Sequence, residues 1–282
     1  YRWKQCKWFF TINANNVTLK NIIFKNAKTN DSSLIWNYAN GKLINCTFEN
    51  INASNCAIYV SGNSNIISDC TFINCTSKGY AGAIYCYNIN LTVMNCHFSK
   101  NSNNASGGAI SGPYCNLNVL NCSFEDCYSS KNGGAIYIIG SNARIADSRL
   151  EYNNAIPDKA DISRGLGGAL YIKGNNNVVI GSNFTYNTAR NGSAIYTDGI
   201  NMTLNNTLFD KNQAWSYELC VDASPNASYY NESDILINIT HIGGNNIANA
   251  IYNTASISDI YFYNVQYESS RGVRITDENE IH

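Results

Sequence analysis

The chain has 282 residues, a formal net charge of −1 and only 14% charged residues. This composition argues against the basic stripe of a nucleic-acid-binding protein and against a polybasic membrane-binding patch. No run approaches the roughly 20 apolar residues of a membrane span, and only 3 Pro occur, so one elongated domain is predicted. Because the sequence begins at Tyr1 without an initiator Met, we expect it to be part of a longer chain, with any membrane attachment in flanking domains.

An internal repeat of about 25 residues runs along the chain. Its first anchor is a Phe followed two or three residues later by a polar residue, usually Asn. In chain order the anchor occurs at Phe24, Phe48, Phe72, Phe98, Phe124, Leu150, Phe184 and Phe209, and more weakly at Ile242 and Phe262. A second anchor of the type Ala-Ile-Tyr keeps step with the first. A fixed period of this length is typical of a solenoid, and the number of copies predicts about ten coils.

The residues around each anchor alternate between apolar and polar. Ile44, Cys46 and Phe48 are apolar and their neighbours are polar, as a half-buried strand requires. Three short strands in a coil of about 25 residues describe a parallel β-helix, with almost no helical content. The predicted fold is therefore an all-β parallel β-helix solenoid over residues 1–267, followed by a polar C-terminal segment at 268–282.

Stacked coils place like residues over like, which predicts continuous internal columns. A column of small residues lies two before each Phe and reads Cys46, Cys70, Cys96, Cys122, Ser148, Ser182 and Thr207. Side chains one coil apart lie nearly 5 Å from each other, further than the roughly 3.8 Å that a disulfide favours. We therefore predict buried free thiols, with a second partial column at Cys75 and Cys127. No Cys-x-x-Cys pair and few His are present, so no metal site is predicted.

Asn is unusually frequent, with 47 residues. Asn tolerates left-handed corners, and its amide forms hydrogen-bonded ladders between stacked strands. The sequence also contains fifteen Asn-x-Ser/Thr motifs, part of which follow from the repeat itself. They predict glycosylation, and thus a secreted glycoprotein. Candidate sites are Asn16, Asn52, Asn104, Asn191 and Asn226.

The two anchors of the repeat carry a family resemblance over about residues 19–264. The runs Gly107-Gly108-Ala109-Ile110 and Gly133-Gly134-Ala135-Ile136 alternate with Phe98-Ser99-Lys100-Asn101 and Phe184-Thr185-Tyr186-Asn187. This pattern resembles the repeats of chlamydial polymorphic outer-membrane proteins and of adhesin-like surface proteins of methanogenic archaea. The first three copies depart from it, with Asn one place early at Asn26, Asn50 and Asn74. The resemblance implies a right-handed β-helical stalk that mediates attachment outside the cell, without catalytic residues or cofactors.

The alternative function is a polysaccharide lyase or glycoside hydrolase built on a β-helix, because the fold alone does not decide between them. Such enzymes need clustered carboxylates, and these do not recur at equivalent positions of successive coils. The nearest candidates are Asp158, Asp161 and Arg164, in an insertion of about eight residues. A solvated surface loop explains the same insertion.

One exposed feature indicates recognition. If Ile of the Ala-Ile-Tyr anchor points inward, then Tyr59, Tyr85, Tyr137, Tyr171 and Tyr196 point outward as a ladder, interrupted by Ser111. Such a row offers docking area to a glycan or a protein of another cell, or to a neighbouring copy in a surface assembly. Stacked Tyr that merely stabilise parallel strands are the other interpretation. The sequence predicts a non-catalytic, adhesin-like cell-surface protein.

Overall fold

The computed structural model describes residues 10–36, 40–62, 64–157, 164–198 and 202–221, and strands within 234–275; side chains are described no further than Gln213. Within these residues the chain forms β-strands and no helix. The strands build a parallel β-solenoid of about seven turns with about 26 residues per turn. The predicted all-β, parallel β-helix fold is confirmed. Its right-handedness and the division at residue 267 stay predictions.

Each central coil contains four short strands, here called A, B, C and D, where three were predicted. The A strands are β1 (Phe10–Ile12), β4 (Leu34–Trp36), β7 (Ile58–Val60), β11 (Ile84–Cys86), β15 (Ile110–Pro113), β19 (Ile136–Ile139), β23 (Leu170–Lys173) and β27 (Ile195–Asp198). The B strands are β2 (Val17–Lys20), β5 (Gly41–Ile44), β8 (Asn65–Ser68), β12 (Asn90–Met94), β16 (Asn116–Leu120), β20 (Arg144–Ala146) and β24 (Val178–Ile180).

The Phe anchor lies on the C strands, and the D strands are only two residues long. The C strands are β9 (Thr71–Ile73), β13 (His97–Ser99), β17 (Ser123–Glu125), β21 (Arg149–Glu151) and β25 (Asn183–Thr185), and the D strands are β10 (Thr76–Ser77), β14 (Ser102–Asn103), β18 (Tyr128–Ser129), β22 (Asn154–Ala155) and β26 (Thr188–Ala189). Both β3 (Ile23–Thr29) and β6 (Thr47–Ala53) span C and D, and β28 (Thr203–Asp210) spans B and C. The remaining strands are β29 (Gln213–Val221), β30 (Asp234–Gly243), β31 (Ile247–Asn253), β32 (Asp259–Tyr263) and β33 (Arg274–Ile275).

The predicted number of about ten coils is wrong, because the repeat loses its regularity after β28. Ile242 pairs with Phe209 as the anchor requires, but register shifts interrupt the pairing of β28 with β30. Phe262 pairs with Ile237, which itself pairs with Leu204 of the B column. Phe262 therefore does not continue the Phe column.

The Phe column forms the centre of the core. From Phe24 to Phe124 successive ring centroids are 4.4 to 5.2 Å apart, with nearly parallel planes. Leu150 takes the next position, and Phe184 and Phe209 resume the stack at 5.3 Å. From Phe48 onward these rings are fully buried. Burial of each should stabilise the fold by about 1.5 to 3 kcal/mol.

The thiol column is buried and free, as predicted. It also makes hydrogen bonds: the backbone N–H of Cys46, Cys70 and Cys96 each donates to the Sγ of the next Cys in the column at 3.4 Å. Cys122 N–H donates to Ser148 Oγ at 3.1 Å in the same way. Ser replaces Cys in the later coils of this column because either side chain accepts this bond.

A second internal column explains the Asn of the Phe-x-x-Asn pattern. Asn153 is fully buried; its Oδ1 accepts from Cys127 N–H at 3.0 Å and its Nδ2 donates to Phe124 O at 3.1 Å. Asn101, Asn187 and Asn212 make equivalent contacts. Each such amide clamps the backbone of the preceding coil. Cys75 and Cys127 occupy the same column, where burial raises the pKa of each thiol to about 12 and keeps it protonated at neutral pH.

The Asn residues that lie two positions after the Phe, and not three, have a different role. Asn26, Asn50 and Asn74 lie at the corner between strands C and D with φ of 54°, 55° and 51°. Their amides form an external ladder: Asn50 Nδ2 donates to Asn26 Oδ1 at 3.1 Å, and Asn74 Nδ2 to Asn50 Oδ1 at 2.8 Å. The predicted left-handed corners and amide ladders are confirmed.

The Gly-Gly pair of the second anchor serves two steric needs. Gly133 has φ of 63°, which a residue with a Cβ adopts at a cost of about 1 to 2 kcal/mol. Gly134 is packed beneath the next coil, because a Cβ there would lie 2.0 Å from Gly168 O. The pair therefore sets the distance between coils at the start of strand A.

Candidate binding site

The Tyr ladder follows from the register of the A strands. Tyr59 pairs with Tyr85, Ser111 occupies the next position, and Tyr137, Tyr171 and Tyr196 continue the column. Ring centroids are 5.5 Å apart for Tyr59 and Tyr85, 4.9 Å for Tyr137 and Tyr171, and 5.0 Å for Tyr171 and Tyr196. The predicted stack and its interruption at Ser111 are therefore present.

The stack is less exposed than predicted. Tyr171 and Tyr196 are each only 9% exposed, and Tyr59, Tyr85 and Tyr137 are half-buried. Because the rings lie face to face along the solenoid axis, each covers the face of its neighbour and leaves mainly its edge to solvent. The expectation of an exposed ladder is wrong for Tyr171 and Tyr196. A sugar ring, which docks on an aromatic face, does not find one there.

Two well-exposed rings lie beside the interruption at Ser111. Tyr87 and Tyr114 are 46% and 61% exposed and meet edge to face, with centroids 5.8 Å apart. This geometry leaves ring faces open, unlike the parallel stack of the column. Tyr80, 45% exposed, stacks on Tyr85 at 4.5 Å. We call Tyr80, Tyr85, Tyr87, Tyr114 and Tyr137 the aromatic strip.

Sequence reasoning missed Tyr80, Tyr87 and Tyr114 because they do not recur from coil to coil. Tyr87 had a signal: it follows Tyr85 by two positions, just after the end of β11, with buried Cys86 between them. Tyr114 lies at a corner with φ of 60°, where Asn fits with less strain.

Two hydroxyl groups of the strip, those of Tyr85 and Tyr137, have raised pKa values. Burial raises the pKa of Tyr85, and the adjacent Tyr59 and Tyr80 add to the shift. Burial also raises the pKa of Tyr137, with a contribution from Tyr114. Protonated phenols both donate and accept hydrogen bonds, so the strip combines apolar ring faces with polar tips.

A second exposed pair stands at the corner between strands C and D. Tyr152 and Tyr186 stack at 4.7 Å and are 44% and 39% exposed. Lys211 Nζ donates to the Tyr186 hydroxyl at 2.9 Å and lies 5.1 Å from the ring centroid. The pKa of Lys211 is raised, mainly by this hydrogen bond. The faces are thus covered by each other and, on Tyr186, by the ammonium group.

Three predicted site residues come from the insertion. Asp158 and Asp161 lie outside the described residues. Arg164 is half-buried beside Gly165, whose φ of 80° turns the chain at the end of the insertion. In the described residues no group of three or more His, Cys, Asp or Glu side chains is placed to hold a metal ion.

The glycosylation candidates differ in exposure. Asn16, Asn52 and Asn104 are exposed, whereas Asn191 is half-buried with an Oδ1 shielded from solvent. Asn226 lies outside the described residues. Access to a glycosyltransferase is therefore good at the first three sites and poor at Asn191, and modification of all five stays a prediction.

Comparison of the chain with protein-family models, curated proteins and solved structures finds no match in any of the three. Among the described residues there is no helix of the length and apolar character needed to cross a membrane. The fold itself places the chain among parallel β-solenoid repeat proteins.

Proposed function

We propose that the chain is a non-catalytic, extracellular module of an adhesin-like surface protein, which attaches to glycans of another cell through its aromatic strip. The observation that carries this proposal is the exposed, edge-to-face pair of Tyr87 and Tyr114 at the interruption of the Tyr column. Open aromatic faces with hydroxyl tips are suited to the apolar faces and hydroxyl groups of sugars.

The use of the repeated residues supports a stalk-like role for the rest of the chain. The buried Phe, Cys and Asn of each coil contact the coils on either side, through ring stacking and backbone hydrogen bonds. These contacts build a stiff rod whose surface residues vary. Exposed Asn-x-Ser/Thr sites at Asn16, Asn52 and Asn104 support a glycosylated, cell-surface location.

Removal of the two open rings tests the proposal. We expect Tyr87→Ser with Tyr114→Asn to weaken retention of the full chain on a printed glycan array by about 10- to 100-fold, since each lost aromatic contact costs about 0.5 to 1.5 kcal/mol. The fold should tolerate the change, because both side chains are exposed and Asn suits φ of 60° at position 114.

Tyr152→Asn with Tyr186→Asn is the matched control, because it removes two exposed rings from corner positions of the same conformation. This variant should bind the array as the wild type does. Equal loss in both variants, or no loss in the first, would contradict a role for the aromatic strip. Retention only on protein-coated surfaces would indicate a protein partner or neighbouring copies.

A further inference from the structure

A polar groove lies at the corner between strands B and C, away from the strand that carries the aromatic strip. Its volume is about 400 Å³, and it extends over four coils, from Asn95–His97 to Gly181 and Asn183. The corner residues Asn95, Asn121, Asp147 and Gly181 have left-handed φ of 52°, 50°, 51° and 60°. The floor includes Cys96 and Cys122 of the thiol column.

The amide ladder of this corner is interrupted inside the groove. Asn121 Nδ2 donates to Asn95 Oδ1 at 2.9 Å, and Asn95 Nδ2 donates to Asp69 Oδ1 at 3.2 Å. In the described part of the chain the ladder does not continue to Asp147, because a carboxylate has no hydrogen to donate to Asn121 Oδ1. The next corner residue is Gly181, which has no side-chain amide to donate to Asp147, and its backbone N–H donates to Asn205 O. Two acceptor groups therefore face the groove in adjacent coils.

The wall of the groove supplies donors beside these acceptors. His97 Nδ1 and Ser123 Oγ are 2.7 Å apart in neighbouring coils. The Arg149 side chain is 58% exposed, and its Nε lies 3.6 Å from Glu151 Oε2. Glu151 offsets the charge of Arg149, and Asp147 adds a negative charge, so the groove does not attract polyanions.

We propose that this groove is a second binding site, which takes a neutral linear oligosaccharide lying along the solenoid axis. Its hydroxyl groups donate to the Asp147 carboxylate and Asn121 Oδ1 and accept from Arg149. Sugar hydroxyls both donate and accept, which matches a wall that offers the two kinds of group side by side. Adjacent coils lie about 4.8 Å apart, so Asn121 and Asp147 are close enough to contact one ligand. The inference rests on the proposed function as a glycan-binding module but uses separate residues.

The variant Asp147→Asn distinguishes a binding role of this corner from a purely structural one. The substituted amide can donate to Asn121 Oδ1 and complete the ladder, so the melting temperature should stay the same or rise while the charged acceptor is lost. Asp69→Asn is the matched control, because it makes the same change in the same column outside the groove. We expect titration calorimetry with cellohexaose, mannohexaose and xylohexaose to show binding of at least one sugar to the full chain. Asp147→Asn should weaken that binding at least tenfold, and Asp69→Asn should leave it unchanged.

Three results would overturn the proposal: no binding of any of the three sugars, equal affinity in Asp147→Asn and the wild type, or tighter binding of hexagalacturonate than of the neutral sugars. Measuring Tyr87→Ser with Tyr114→Asn against the same sugars keeps the two sites apart. If the groove does not bind these sugars but the aromatic strip still mediates binding to the array, the proposed function stands without this site.

Discussion

Phe98→Ala is expected to lower the free energy of unfolding by about 3 to 5 kcal/mol. Phe98 is fully buried, with its ring centroid 4.8 Å from that of Phe72 and 4.6 Å from that of Phe124. Truncation leaves a cavity between two flat rings that are held by their own strands and cannot close together. Urea unfolding monitored by circular dichroism measures the loss.

Ser99→Ala is the control for this prediction, because Ser99 follows Phe98 on the same strand and its side chain points outward. It should change stability by less than about 0.5 kcal/mol. A loss below about 1 kcal/mol for Phe98→Ala would mean that the Phe column does not carry the core.

Asn153→Leu is expected to destabilise the chain by about 2 to 4 kcal/mol, because two buried backbone groups lose their partners. Cys127 N–H loses the Oδ1 acceptor and Phe124 O loses the Nδ2 donor. Leu keeps the branching of Asn at Cγ and is larger, so no cavity is left and the loss reports the missing hydrogen bonds together with overpacking. The thermal midpoint should fall by several degrees.

Two further variants serve as controls for Asn153→Leu. Asn154→Leu changes the adjacent, outward-facing Asn and should have little effect on stability. Asn153→Cys should cost less than Asn153→Leu, because the chain itself uses Cys at Cys75 and Cys127 of the same column. If Asn153→Leu is as stable as Asn154→Leu, the buried amide column is not required for coil stacking.

The fold was predictable because stacking requires the same type of residue at the same position of every coil. A buried Phe such as Phe98 sits above Phe72 only if the chain returns in register, so the period of the sequence reports the period of the structure. The D strands were missed because two residues carry no alternation. The coil count was wrong because Phe262 resembles an anchor in sequence but pairs in another column.

The candidate site was less predictable, since burial depth depends on neighbours in space. Alternation showed that Tyr171 points away from the core, but not that stacking with Tyr137 and Tyr196 would bury it. Asn74 and Asn101 have the same side chain, yet the first caps an external corner and the second clamps the interior. One residue of spacing after the Phe separates these roles, and only the register makes the difference clear.

The central claim, that the chain binds glycans without cleaving them, is tested most directly by mass spectrometry of end-labelled oligosaccharides incubated with the full chain. The same neutral hexasaccharides used for the groove, with hexagalacturonate and alginate oligomers, should be recovered at full length after prolonged incubation, while at least one neutral sugar is retained by the protein. Accumulation of shorter products with new reducing or unsaturated ends, abolished by Asp161→Ala, would contradict the account and establish a polysaccharide lyase or glycoside hydrolase instead.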